Sequence, residues 1–600
     1  MSTREAKVVT KLLLFLVAIY ASVSVYLNGL QSFTDPNYPG AFWSPDSGAR
    51  FAMIHSWVTH GRMLHLYYPA APLDPTGQIH PLAYFLFHQP HGFCAMYPPL
   101  FPLIAGTAYR AFGFGGLTIV PIVSGLGCVF ITYMTACRLN MEFRIFIPLV
   151  VGTATPLVLY SSVFWDHSFI MLVMAGVGYW MLRSIQERSF CCGVIAGATI
   201  GLGIWVHELF LACFVAVWLA LLPLLKSHRY IVTGLPVGFL IVILSWGVFN
   251  WLVYGAFGGP HLGANVTQNN NDHPFDLARI LDWTQFNNRV MAQVVGTAIV
   301  DVAPNLWPYY LIFACLLIVY TFVAWSGDVM AGLMPTIGLS AAGVALLLVI
   351  RIHAYASPAG LFEATPLLIP ALAVPWWIQK TQSGVLSIKM FYAWLSRTCW
   401  LVVLFLLINP MRPGTDWGSR YLLSVLPLLS LLAAHALEQQ YRNIKTHLRG
   451  LMVVNSCGLI GISCLCQLYG LIWVHRNLAY SQQLNRSIRA IVSPILVTNA
   501  DMPARLAYPV PSQMLFLVRT DEDGKVFSSV LRQTKVPELT FVGTGFGDNI
   551  IENAIVDSGR SYTKSEVHPL FLLSNSEEGD ELQVIRFILR PKDQVKNAWK

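Results

Sequence analysis

Five short stretches set carboxylates, arginines or histidines beside prolines and aromatics in an otherwise apolar chain. The first is Phe42-Trp-Ser-Pro-Asp46-Ser-Gly-Ala-Arg50-Phe51. Ser44-Pro45 reads as a helix start, which puts Asp46 in the first turn of a helix through Ala52–Thr59, lying along the membrane interface. A carboxylate held there can act as a general base. It can equally be a plain cap, with Arg50 one turn on as its i,i+4 partner. The second stretch, Tyr97-Pro98-Pro99-Leu100, fixes an extended entry to an interfacial helix. The third, Trp165-Asp166-His167, squeezes an acid between two apolar blocks, as a cap for the following helix or as a working group at the membrane face. In the fourth, His207-Glu208, adjacent residues do not share a helical face, which makes a poor metal pair. The fifth is Asp416-Trp417-Gly418-Ser419-Arg420-Tyr421. The planar fork of Arg420 suits a phosphate, and its bland alternative is an interfacial anchor.

The elements that must position these groups are membrane spans. Of 600 residues, 55 % are apolar and 11 % charged, against about 25 % charged in a soluble domain. The apolar residues fall in long blocks, which predicts a polytopic membrane protein. Spans are expected near 12–27, 116–137, 143–162, 168–184, 190–206, 208–225, 230–253, 307–325, 329–350, 364–379, 395–411, 420–438 and 450–474, about 13 in all. Between the first two lies a polar, aromatic-rich loop, 30–115. With the N-terminus inside, Arg138, Arg144, Arg183, Arg188, Lys226, Arg229, Lys380, Lys389, Arg442, Lys445 and Arg449 all fall on inner connections. All five stretches above then face outward. The net charge of +8 comes from such scattered cations rather than a basic run, so no nucleic-acid partner is expected.

Composition changes after about 478. The expected organisation is a transmembrane domain over 1–477 and an outer soluble domain over 478–600. Strand-like runs at Ile495, Met514, Leu539 and Leu582, with a helix near Val526–Thr534, predict a small α/β domain. It has no glycine-rich phosphate loop. Ten of the eleven cysteines lie in or beside apolar blocks. Cys94 alone falls in the outer loop, where an impermeant thiol reagent should reach it. Asn265-Val-Thr267 and Asn485-Arg-Ser487 match the glycosylation tripeptide.

The order of these features (a span, a long outer loop with an early Asp, Pro-Pro-Leu, two spans, an outer Asp) resembles the GT-C type of membrane glycosyltransferase. These enzymes take sugar from a polyprenyl phosphate, and they include protein O-mannosyltransferases and aminoarabinose transferases. The resemblance covers roughly 10–440. It matches Asp46 to the family's catalytic Asp, Arg50-Phe51 to an Arg-Tyr pair, Pro98-Pro99-Leu100 to the loop motif and Asp166 to the second outer acid. Asn250 to Gly258 and Trp417-Gly418-Ser419-Arg420-Tyr421 look like recurring bacterial forms. Tyr97 departs from a common Lys, and Ser47 from a common carboxylate. The resemblance implies a GT-C-like fold with catalytic Asp46 and Asp166. Substrate binding would involve Arg50, Tyr97, Pro98, Pro99, Arg420, His207 and Glu208. It also implies transfer, with inversion, to a hydroxyl of a lipid, glycan or protein on the extracytoplasmic face. Arg50, Arg412 or Arg420 would hold the phosphate. No cofactor is required, and a divalent cation, magnesium or manganese, is optional. The expected setting is the bacterial inner membrane, or the endoplasmic reticulum if the source is eukaryotic, among membrane lipids. The rival readings are a lipid or sugar transporter, against which the long polar loop argues, and a non-catalytic scaffold.

Overall fold

The computed structural model describes residues 3–35, 38, 40–62, 64–82, 85–89, 92–225, 228–260, 307–325, 342–343, 359–374, 386–408, 417–499, 514–534, 536–543, 548–570 and 582–591. The chain divides into two units. One comprises 1–27, 118–249 and 269–473, the other 28–117, 250–268 and 474–600. Arg412, Asp416, Asn265 and nearly all of the expected span 329–350 lie outside the described residues.

Among the described residues seven helices are long and apolar enough to cross a membrane: Arg4–Asn28, Ile119–Arg138, His167–Glu187, Arg229–Tyr254, Ser387–Ile408, Arg420–Asn443 and Thr446–Ala490. Four shorter apolar helices accompany them, Arg144–Thr153, Phe190–Ile204, Phe210–Leu224 and Leu311–Thr321. The chain is therefore an α-helical polytopic membrane protein carrying a small C-terminal sheet domain. Some spans differ from the expected ones for local reasons. The run 143–162 breaks into short helices ending at Thr153 and starting again at Leu157, because Pro156 cannot continue the ladder. The run 364–379 opens as a 3-10 segment, Pro366–Ala373, with Pro370 inside it. The helix expected at 395 begins at Leu386, and the last one runs on to Ala490.

In the first unit, glycines let helices approach at backbone distance. A Cβ on Gly197 would sit 1.9 Å from the Leu235 carbonyl oxygen, and one on Gly238 1.9 Å from that of Val194. The helices Phe190–Ile204 and Arg229–Tyr254 thus pack backbone to backbone. Ion pairs join connections that the charge bias assigned to one side: Arg144 with Glu5 at 2.7 Å, Arg138 with Glu187 at 3.0 Å and Arg442 with Glu142 at 3.1 Å. Each contributes at most about 1 kcal/mol. Their value is as a geometric check, since pairing requires those ends to lie together.

The second unit contains a five-stranded sheet of order β4-β3-β5-β7-β6, with β3 Ile495–Thr498, β4 Met514–Leu517, β5 Glu538–Gly543, β6 Arg560–Leu570 and β7 Leu582–Pro591. β3 pairs in parallel with β4 and β5, and the last two strands are antiparallel. Helix Asp521–Gln533 is opened by a capping box of Thr520 and Asp523. Residues 28–117 belong to this same unit. Within them a hairpin, β1 Leu86–Gln89 and β2 Gly92–Ala95, leads directly to Tyr97.

Candidate functional site

Asp46 is set by a well-formed helix start. Ser44 is the N-cap, its hydroxyl accepting from the Asp46 N–H at 3.2 Å, and Pro45 takes the first helical position. The helix runs Pro45–His60 and ends on Gly61, whose φ of 67° closes it in the left-handed region. From Ser47 to Ile54 every residue is buried. Tyr97 arrives from the hairpin and donates its phenol hydrogen to Asp46 Oδ1 at 2.6 Å. Arg50, 2 % exposed, lies one turn after Asp46 with its guanidinium carbon 4.0 Å from the centre of the Tyr97 ring. Acid, phenol and guanidinium thus form one group in the second unit. Pro98 is buried, and Pro99 immediately precedes the helix Leu100–Gly116.

A second group forms in the first unit. Asp166 is fully buried and stands at the N-cap position of His167–Glu187, with no side-chain capping bond. Its Oδ1 lies 3.8 Å from His167 Nδ1, and the His167 ring packs on Trp165 and Tyr160 with centroids at 4.8 and 5.1 Å. The Tyr160 hydroxyl donates to the Trp417 carbonyl at 2.8 Å. Trp417 is itself wedged over Gly470, where a Cβ would come within 2.5 Å of the indole. Gly418 has φ 75°, and a Cβ there would stand 2.6 Å from Pro156, so only glycine fits. Ser419 is also left-handed, with φ 56°. This turn aims Arg420 so that its guanidinium lies 5.6 Å from the Trp165 ring centre and bonds the Tyr421 hydroxyl at 3.1 Å. His207 and Tyr421 have centroids 6.0 Å apart, while His207 Nδ1 accepts from the Leu209 N–H in the turn between two helices. Glu208 shares that turn, where its carbonyl accepts from Leu211.

The residues singled out in the sequence therefore gather into two groups, Asp46, Arg50 and Tyr97 in one and Asp166, His207 and Arg420 in the other. Sequence reasoning missed Tyr160, whose ordinary aromatic context gave no signal, and named Tyr421 only as part of the motif around Arg420. It read Tyr97 as a departure from the family's lysine and as a substrate-binding residue, and did not foresee its bond to Asp46. Arg397 was not singled out, although the expected span 395–411 would have put it near an end. With the helix starting at Leu386, this arginine falls near the middle of a span, bonding the Ala393 carbonyl through Nε at 3.0 Å. Charge at that depth is costly and usually functional. One expectation needs correction. Cys94 is 1 % exposed, with Sγ 3.4 Å from His65 Nδ1, and burial pushes its thiol up to about 12, so it is closed to a thiol reagent in the folded protein. Asn485, in one of the two tripeptides noted in the sequence, is fully buried, and its Nδ2 donates to the Gly40 carbonyl at 2.6 Å. Among the described residues no three His, Cys, Asp or Glu side chains cluster as metal ligands.

No family model matches the chain, and no curated protein matches it. Among solved structures, ArnT from Cupriavidus metallidurans in the apo state is similar at 12 % identity, covering 96 % of this chain and 98 % of that one, with a TM-score of 0.47. The Archaeoglobus fulgidus oligosaccharyltransferase in the apo form is similar at 12 % identity, covering 96 % of this chain and 76 % of that one, with a TM-score of 0.44. At TM-scores below 0.5 these are weak likenesses of overall fold.

Proposed function

We propose that this chain is a membrane glycosyltransferase that moves a sugar from a polyprenyl-phosphate donor to an acceptor hydroxyl on the extracytoplasmic face. The observation that carries the reading is the Asp46–Tyr97–Arg50 group, with Tyr97 Oη 2.6 Å from Asp46 Oδ1 and the Arg50 guanidinium carbon 4.0 Å from the Tyr97 ring centre. A carboxylate held by a buried phenol at the start of a helix is ordered for proton transfer. The acceptor oxygen forms a bond to the anomeric carbon while the bond from that carbon to the phosphate oxygen breaks. The hydroxyl proton passes to Asp46, and the electron pair leaves with the lipid phosphate. Attack from the face opposite the phosphate inverts the anomeric centre.

The departing phosphate needs a cation. Arg420 is our first choice, because the Gly418–Ser419 turn fixes its direction, and Arg50 is its competitor. Asp166 orients the acceptor. The mechanism requires no cofactor, and a chelation series would reveal any help from magnesium or manganese. The acceptor is a lipid, glycan or protein hydroxyl, and the setting is the bacterial inner membrane.

Purified protein incubated with a panel of radiolabelled polyprenyl-phosphate sugars, followed by product analysis, is the test. Transfer or slow donor hydrolysis with one panel member is expected. Donor binding without any turnover across the panel, together with lipid movement between leaflets in vesicles, would replace this reading with the transporter.

A further inference from the structure

The chemistry-bearing loop has no core of its own. Ala49, Met53, Leu82 and Tyr97 belong to the same cluster of buried side chains as Phe541 and Ile555. The sheet faces divide by alternation. Ile495 and Val497 of β3 point into this shared core, while Leu496 points to the other face and meets Leu484 and Ile488 of the Arg449–Ala490 helix.

Backbone bonds add registration to this packing. β4 is an edge strand, and the N–H of its last residue, Leu517, donates to the Ile79 carbonyl at 2.9 Å. That carbonyl is held in place by a buried knot. Asp74, fully buried, accepts from the Tyr68 hydroxyl at 3.1 Å and from the N–H groups of Gln78 and Ile79 at 3.2 and 3.3 Å. Gln78 also bonds Asp523 at 3.3 Å. On the other flank, Asn485 bonds the carbonyl of Gly40, four residues before the Ser44 cap. In open α/β sheets the ligand crevice lies outside the carboxyl ends of the strands. Here the edge beside the carboxyl end of β4 is taken by the chain's own loop.

We infer that residues 474–600 are a positioning scaffold for Asp46 and Tyr97, folding as one cooperative body with the loop 28–117, and are not a separate acceptor-binding module. The roles given to Asp46 and Tyr97 rest on the proposed transferase reading; the folding linkage does not.

Hydrogen exchange on the full chain in detergent separates the two ideas. Ile555 is fully buried on the helix Asp548–Asp557. Ile555→Ala should speed exchange about tenfold or more in 538–543 and, by the same factor, in 66–82 and 92–97, because a cooperative body opens as a unit. Exchange in 167–187 should not change. Ile555→Val gives a milder form of the same measurement if the alanine variant does not fold. Faster exchange in the sheet with the loop unaltered would overturn the scaffold. Asn485→Ala supplies the catalytic readout, lowering kcat about tenfold with donor KM nearly constant if Asp46 is only tilted, since a 1 Å misplacement costs up to about a hundredfold. Equal kcat in Asn485→Ala and the parent would overturn the positioning role. If no donor is ever turned over, the transferase reading fails while the exchange result still decides the scaffold.

Discussion

At the residue scale the assignment turns on three side chains. Asp46→Asn keeps shape and removes the proposed base, so on that reading turnover should fall about 10²–10⁴-fold while donor binding survives. Near-normal turnover of the purified variant would remove Asp46 from the mechanism. Tyr97→Phe deletes only the 2.6 Å bond to Asp46 and leaves the ring under Arg50. It should cost roughly one to two kcal/mol of transition-state stabilisation, a smaller loss than that of the acid itself. For the leaving phosphate, Arg420→Lys should be partly active and Arg420→Ala much weaker in donor affinity and turnover together. If Arg420→Ala is normal and Arg50→Ala fails, the phosphate is held by Arg50 and Arg420 is an interfacial anchor.

Elements explain what could be read from the sequence and what could not. Ser44-Pro45 announced the helix carrying Asp46, and that helix does begin at Pro45. Strand runs at Ile495, Met514, Leu539 and Leu582 all fall in one sheet, because β-branched and aromatic alternation is a local signal. The embedding of the loop in that sheet left no such trace. Its partners lie far along the chain, Gln78 and Asp523 being 445 residues apart, and no short pattern encodes a contact at that separation. Hydropathy likewise predicted an unbroken span over 143–162, where Pro156 breaks the helix. The glycine contacts of Phe190–Ile204 with Arg229–Tyr254 were also silent in the sequence, yet they define a sharp test. Gly238→Ala places a methyl 1.9 Å from the Val194 carbonyl oxygen, so the helices must part. A loss of about 1–3 kcal/mol is expected, read as a lower thermal midpoint in detergent. An unchanged midpoint would mean that these helices do not pack at backbone distance.

For the molecule as a whole, acid should loosen the second unit. Burial, with His60 and Arg489 adding repulsion, pushes His55 down to about 4, and burial alone pushes His80 down to about 3. His80 Nδ1 accepts the Leu82 N–H at 2.9 Å, which requires that nitrogen to be unprotonated. Unfolded histidines bind protons near pH 6.5. The unfolded chain therefore gains protons first as pH falls, and the stability these residues contribute above pH 6.5 is lost progressively toward about pH 4 and below. Asp74 works in the opposite sense, its burial raising it from 3.8, and softens only the lower end. Melting followed by tryptophan fluorescence should show a lower midpoint at pH 5 than at pH 7, with a shallower slope in His80→Asn. A flat profile across that window would show that neither histidine is buried neutral.

The shared core also sets a timetable for biosynthesis. The loop with Asp46 is made early, but Gly40 waits for Asn485 and Gln78 for Asp523, each 445 residues later. At a synthesis rate of about 5–20 residues per second, that delay is roughly 20–90 s. Throughout it the loop's apolar side chains have no sheet to cover them, so the nascent chain depends on chaperones or lipid until its last strands emerge. A ribosome that stops early would leave a protein with its spans inserted but its acid, phenol and guanidinium unassembled. If the proposed activity holds, it would wait on the strands at 495–591, and a copy lacking them would be inert rather than uncontrolled.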